Sequence, residues 1–179
     1  MRILNIPNTL TIARILIIPV FVTSILYDRY RYALYLFVAA ALTDALDGLF
    51  ARLANQKTPL GTFLDPLADK FLLVSSFVLF AVYGWIPKWL TITVISRDLI
   101  VVIGWLILYM ITHSAKIEPV LLGKAAIALQ LLALTYVLLH INFAAVPALP
   151  FSFCLLIAAV TAVSGLQYVY KGFKIADAL

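Results

Sequence analysis

Apolar residues in this chain run in long unbroken blocks separated by short polar clusters, rather than in the alternation of a half-buried strand. A helix needs about 20 residues to cross about 30 Å of hydrocarbon, so the blocks predict six membrane-spanning helices. They cover about residues 8–26, 32–54, 61–83, 88–111 and 120–140, with a sixth ending near Tyr170. The breaks carry turn chemistry: Tyr27-Asp28-Arg29-Tyr30-Arg31, Asn55-Gln56-Lys57-Thr58-Pro59, Gly84-Trp85-Ile86-Pro87, residues 113–119, and the Pro147/Pro150 pair. The predicted architecture is an all-α integral membrane bundle of six transmembrane helices, one domain over residues 1–179.

Composition agrees. Of the 179 residues, 65% are apolar and 12% charged, against about 45–50% and about 25% in a soluble domain, which excludes a water-soluble globule. The formal charge of +5 is too dispersed for a nucleic-acid-binding stripe, so no nucleic-acid partner is expected. It reads instead as topology. With the N-terminus inside, the inner connections and tails hold Arg2, Lys57, Lys116, Lys171 and Lys174, with Arg52 and Lys124 at adjoining helix ends, while Arg29, Arg31 and Lys88 face out. The positive-inside rule then gives N-in and C-in. No leader with a cleavage site is evident, so the mature chain is expected to begin at or near Met1, and Cys154 has no disulfide partner.

Five of the eight acids, Asp44, Asp47, Asp65, Asp69 and Asp98, fall inside predicted spans, where each charge costs a few kcal/mol (about 3) on insertion scales. Asp44 and Asp47 lie about 60° apart on a helix, and Asp65 and Asp69 about 40° apart, so each pair forms an acidic face. A short hairpin would bring the two pairs to similar depth. Four facing carboxylates repel unless protonated or neutralised by cations. Two divalent ions match the charge, and oxygen ligands without His or Cys suit Mg²⁺ or Mn²⁺. Acids that only tie helices together, or a cation or proton-coupled transporter, are the competing readings. Gly48, Ala51, Arg52, Thr58 and Gly61 favour a bound phosphate ester instead, because small residues admit a ligand and arginine pairs with phosphate. Arg14 lies two turns into an apolar helix and requires an anion, whereas Asn8 and Thr11 suit either a ligand contact or a helix cap.

The residues Asp44-x-x-Asp47-Gly48-x-x-Ala51-Arg52, then eight residues, then Gly61-x-x-x-Asp65-x-x-x-Asp69, resemble the signature of the CDP-alcohol phosphotransferases. These are six-helix membrane enzymes of phospholipid biosynthesis. The resemblance implies transfer of a substituted phosphate from a CDP-linked donor to an alcohol, with release of CMP. It implies metal ligands at Asp44, Asp47, Asp65 and Asp69, with Asp69 also the catalytic general base. Donor contacts are implied at Gly48, Arg52, Thr58 and Gly61, and at Asn8, Thr11 and Arg14 of the first helix. The active site would face the cytoplasm, and the localisation would be the cell membrane, the bacterial inner membrane. The likeness also leaves room for a homodimer.

Within the family, Asn5-Ile6-Pro7-Asn8-x-x-Thr11-x-x-Arg14, Asp65-Pro66-Leu67-Ala68-Asp69-Lys70 and Arg97-Asp98 resemble the bacterial phosphatidylglycerophosphate synthases. The partners implied are CDP-diacylglycerol, glycerol-3-phosphate and membrane lipid. Glycerol-3-phosphate is a small dianion that needs a compact cationic pocket, for which Lys70, Arg97, Lys116 and Lys124 are the candidates. Gly123-Lys124 is followed by Ala125-Ala126-Ile127 where those enzymes carry a further Lys-Thr, and the same outline resembles cardiolipin synthases that use phosphatidylglycerol. For Arg97 the alternative is a buried ion pair with an acid of another span, since neighbouring Asp98 is expected on a different helical face.

Overall fold

The computed structural model describes the backbone of residues 6–53, 59–112 and 120–176; side chains at 6–8, 10, 44–53, 59–67, 69, 109, 112 and 176 lie outside the description. Among the described residues there are six α-helices and no strand: α1 Ile6–Leu26, α2 Tyr30–Leu53, α3 Pro59–Val82, α4 Lys88–Thr112, α5 Leu121–Asn142 and α6 Phe151–Ala176. Five of the six predicted spans agree with these helices to within two residues at each end. The sixth runs past its predicted end near Tyr170 to Ala176. Its inward positions continue at helical spacing through Ser164, Tyr168, Gly172 and Ile175, and a Cβ on Gly172 would lie 3.6 Å from Leu108 of α4. Packing on α4 therefore carries the helix through the Lys171-Gly172 step that reads as a terminus.

Two turns show how polar clusters stop apolar helices. After α1, Asp28 N–H donates to Ile25 O (3.0 Å) and Arg29 N–H to Ser24 O (2.7 Å) around an Asp28 φ of 56°. After α3, Gly84 N–H donates to Ala81 O (3.3 Å) and Trp85 N–H to Phe80 O (2.8 Å) around a Gly84 φ of 76°. Both are Schellman closures, which satisfy carbonyls that the helix end leaves open and require one left-handed residue. Glycine reaches that conformation without strain, and aspartate is among the few others that tolerate it.

The chain forms two compact units. The first contains residues 1–79 and 134–147, and α1 packs on α2 within it. Phe21 and Phe37 meet there with ring centroids 5.8 Å apart, both essentially fully buried. Asn142 Nδ2 at the end of α5 donates to Tyr30 O at the start of α2 (3.1 Å) and to Leu138 O one turn back (2.8 Å), tying the two helix ends together. The second unit contains residues 80–133 and 148–179, and α4 packs on α6 within it. Its interior holds Leu90, Val94, Leu108, Cys154 and Ile157.

Large apolar side chains also cover the outside, among them Leu16, Leu42, Ile92, Met110, Leu121 and Leu166. In water such a surface would aggregate; in lipid it is the expected one. Three helical stretches, Lys88–Leu108, Leu121–Asn142 and Phe151–Ile175, are long and apolar enough to cross a membrane, and Thr11–Leu26 and Lys70–Val82 are shorter apolar stretches.

Lipid removes most of the hydrophobic drive between helices, so packing and cavity terms set their stability. Phe37→Ala should lose about 2–3 kcal/mol by opening a cavity against Phe21. In detergent its thermal midpoint should fall by roughly 4–10 °C, whereas Tyr35→Ala, at an exposed position of the same helix, should shift by no more than about 1 °C. An unshifted Phe37→Ala midpoint would remove this pair from the account of stability.

Candidate active site

The acid-bearing segments are helical. Asp44, Asp47, Gly48 and Arg52 lie on α2, and Gly61, Asp65, Asp69 and Lys70 on α3. This backbone gives Asp44 and Asp47 adjoining positions on one face of α2, and sets Asp65 and Asp69 about one turn apart along α3. The side chains of these aspartates, Gly48, Arg52, Gly61 and Asn8 lie outside the described residues, as do Thr58 and Lys116 entirely. Among the described side chains no group of three or more His, Cys, Asp or Glu is arranged to hold a metal. As a donor set, four aspartates on helical faces supply carboxylate oxygens without nitrogen or sulfur, which fits hard divalent ions such as Mg²⁺ or Mn²⁺.

On α1, Thr11 and Arg14 are fully buried, three residues apart on one face. Because the helix is already running at Ile6, Thr11 sits in its second turn, which removes the capping explanation for that residue. Lys70 is half-buried on α3, and Lys124 is exposed in the first turn of α5.

The second unit shows its polar chemistry in detail. Arg97, buried on α4, pairs through Nη1 with Asp98 Oδ1 at 2.7 Å. This corrects the expectation that Asp98 points away. A long arginine side chain sweeps across the roughly 100° between successive helical positions, and in a low-dielectric interior the nearest carboxylate offsets its charge. Arg97 Nε also donates to Ser164 Oγ on α6 at 3.2 Å. The Ser164 hydroxyl donates in turn to Thr161 O at 2.8 Å, which leaves its lone pairs turned toward Arg97. The guanidinium carbon lies 5.5 Å from the centroid of the Tyr168 ring, within cation–π range.

Two glycines admit this arrangement. A Cβ on Gly165 would lie 3.2 Å from Arg97 Cγ; one on Gly123 would lie 3.0 Å from the Tyr168 hydroxyl and 3.1 Å from Arg97 Nη2. Small residues let helices and a buried guanidinium approach closely. Nearby, Gln130 Nε2 of α5 donates to Thr161 Oγ1 of α6 at 3.1 Å. Sequence reasoning selected Arg97 and Lys124 but missed Ser164, Tyr168 and the packing role of Gly123. The available signal was Ser164-Gly165-x-x-Tyr168, two polar side chains one turn apart in a mostly apolar span that also holds Thr161 and Gln167.

Comparison with known proteins identifies the family. The sequence model described as CDP-alcohol phosphatidyltransferase matches residues 4–165. The chain is 33% identical, over an alignment of 187 residues, to the CDP-diacylglycerol–glycerol-3-phosphate 3-phosphatidyltransferase of Bacillus subtilis, covering 95% of this chain and 96% of that one. It is 32% identical over 178 residues to the protein of the same name from Aquifex aeolicus, covering 96% and 97%. A cardiolipin synthase (CMP-forming) of Rattus norvegicus is 44% identical over 99 residues, covering 55% of this chain and 33% of the rat protein. With a family match over most of its length and near end-to-end likeness to two relatives, the chain belongs to the CDP-alcohol phosphatidyltransferases, membrane enzymes of phospholipid biosynthesis.

Proposed function

We propose that this enzyme transfers the phosphatidyl group of CDP-diacylglycerol to glycerol-3-phosphate, giving phosphatidylglycerophosphate and CMP. The observation that carries the choice of acceptor is coverage. Likeness to the two glycerol-3-phosphate phosphatidyltransferases runs through 95% and 96% of the chain, whereas likeness to the rat cardiolipin synthase stops at 55%. The second reading, with phosphatidylglycerol as acceptor, draws on the higher identity of that shorter match and on Ala125-Ala126-Ile127 after Lys124.

In this reading the whole chain is one catalytic domain of six spans in the cell membrane, N-in and C-in, with its site toward the cytoplasm. Asp44, Asp47, Asp65 and Asp69 would hold two divalent ions, Mg²⁺ or Mn²⁺. Such ions, when bound, polarise the pyrophosphate and stabilise the departing CMP. Asn8, Thr11, Arg14, Gly48, Arg52, Thr58 and Gly61 hold and orient the donor, the arginines by pairing with its phosphates. Lys70, Arg97, Lys116 and Lys124 attract the acceptor's phosphate. Asp69 takes the proton of the acceptor hydroxyl as that oxygen bonds to the phosphatidyl phosphorus and the bond to the CMP oxygen breaks.

The test uses purified protein, CDP-diacylglycerol in mixed micelles and Mg²⁺, offering glycerol-3-phosphate, phosphatidylglycerol, serine and inositol phosphate separately and measuring CMP. Release with glycerol-3-phosphate alone is the expected result. Release with phosphatidylglycerol alone would transfer the assignment to cardiolipin synthesis, and ion flux into liposomes without CMP would support a transporter.

A further inference from the structure

We propose that Tyr168 is a positioning residue for the acceptor, acting through Arg97 and the first turn of α5. The proposal rests on the reading of Arg97 as an acceptor-binding group. Tyr168 touches both halves of the arrangement. Its ring lies under the Arg97 guanidinium, 5.5 Å from centroid to carbon, and its hydroxyl accepts from Val120 N–H at 3.2 Å, just before α5 begins. That N–H is one of the donors a helix start leaves without an intrahelical partner. One side chain on α6 thus fixes the height of the α5 start relative to a buried cation on α4.

The geometry also says which part of Arg97 faces α5. Nε is engaged by Ser164 and Nη1 by Asp98, so the guanidinium plane is held from two sides. The remaining nitrogen, Nη2, is the one beside Gly123, where a Cβ would come within 3.1 Å. Gly123 and exposed Lys124 occupy the first turn of α5, whose N-terminal end carries partial positive charge. In this proposal a phosphate dianion at that turn is held by the helix end and exposed Lys124, with the Nη2 edge of buried Arg97 directly behind Gly123, provided Arg97 stays in register with α5. Holding that register is the role assigned to Tyr168. Ser164 has the lesser part of fixing the guanidinium plane.

This makes a prediction that general damage to packing would not reproduce. Tyr168→Phe keeps the ring but removes the acceptor for Val120 N–H, so it should raise KM for glycerol-3-phosphate about five- to tenfold while kcat and the KM for CDP-diacylglycerol stay within about twofold. Tyr168→Leu, which also removes the ring, should raise the acceptor KM further. Arg97→Lys, losing the planar fork, should raise it about 100-fold, and adding Tyr168→Phe to Arg97→Lys should change little more, because the tyrosine acts through the arginine. Ser164→Ala provides a second variant if Tyr168 substitutions fail to fold, with the same selective but smaller rise in acceptor KM.

The outcomes separate. If Arg97→Lys raises the acceptor KM but folded Tyr168→Phe leaves it at the wild-type value, or lowers kcat and raises both KM values together, the positioning role is overturned and the acceptor reading of Arg97 stands. Full additivity in the double variant also overturns it. If Arg97→Lys itself leaves the acceptor KM unchanged, the reading of Arg97 fails and this proposal fails with it.

Discussion

Replacing Asp69 with Asn is expected to reduce CMP release by about 10²–10⁴-fold while CDP binding remains measurable. Asparagine preserves size and one oxygen donor but cannot accept a proton at neutral pH. In the proposed reaction the acceptor hydroxyl must lose its proton as its oxygen meets phosphorus, so losing the base affects kcat most. Binding of CDP, measured by calorimetry in detergent, draws on many other residues and should change little. Asp69→Asn that turns over near the wild-type rate would exclude Asp69 as the base. A variant that loses CDP binding and turnover in parallel would leave Asp69 with its ligand role alone and overturn its assignment as the base.

The helices were legible because apolar blocks of about 20 residues, set apart by turn-forming clusters, match the length of a membrane-crossing helix, and three of the described helices are long and apolar enough to cross. The one end misplaced by several residues, that of α6, depends on tertiary contact. Lys171-Gly172 looks like a stop, yet Gly172 faces α4, where even a Cβ would meet Leu108 in ordinary van der Waals contact at 3.6 Å. The placement of the acids on helices was legible in the same way: Asp44 and Asp47 fall on α2 and Asp65 and Asp69 on α3, as the apolar blocks around them predict.

Arg97 was singled out by the Arg97-Asp98 resemblance and as a cation for the acceptor's phosphate, but its surroundings were not legible. Helical projection separates Arg97 and Asp98 by about 100°, and only the path of the arginine side chain joins them at 2.7 Å. Ser164 lies 67 positions away in sequence, and Tyr168 meets Val120 across 48. Neither spacing has a periodic signature. A serine, a tyrosine and a glycine in apolar helices are individually unremarkable, so their convergence on one guanidinium emerges only from how α4, α5 and α6 pack in the second unit.

The other large expected effect falls on the acidic pair of α2. Asp44→Ala or Asp47→Ala should abolish most CMP release at ordinary Mg²⁺ and weaken donor binding with it, because each removes a carboxylate from the set assigned to the ions. Deleting one ligand should shift the Mg²⁺ dependence of activity upward by about 10–100-fold or more, the range seen when merely supporting partners of a metal site are lost. Titration of Mn²⁺ by its paramagnetic signal, with substrate absent, gives a readout independent of turnover and should show reduced occupancy. The two substitutions need not be equal: Asp47 directly precedes Gly48 in the motif, whereas Asp44 lies a turn earlier on α2. If the acids served only to tie helices together, alanine would lower thermal stability while leaving metal dependence unchanged in the protein that remains folded. Unchanged Mn²⁺ binding and unchanged Mg²⁺ dependence in a folded variant would therefore refute a ligand role for that residue.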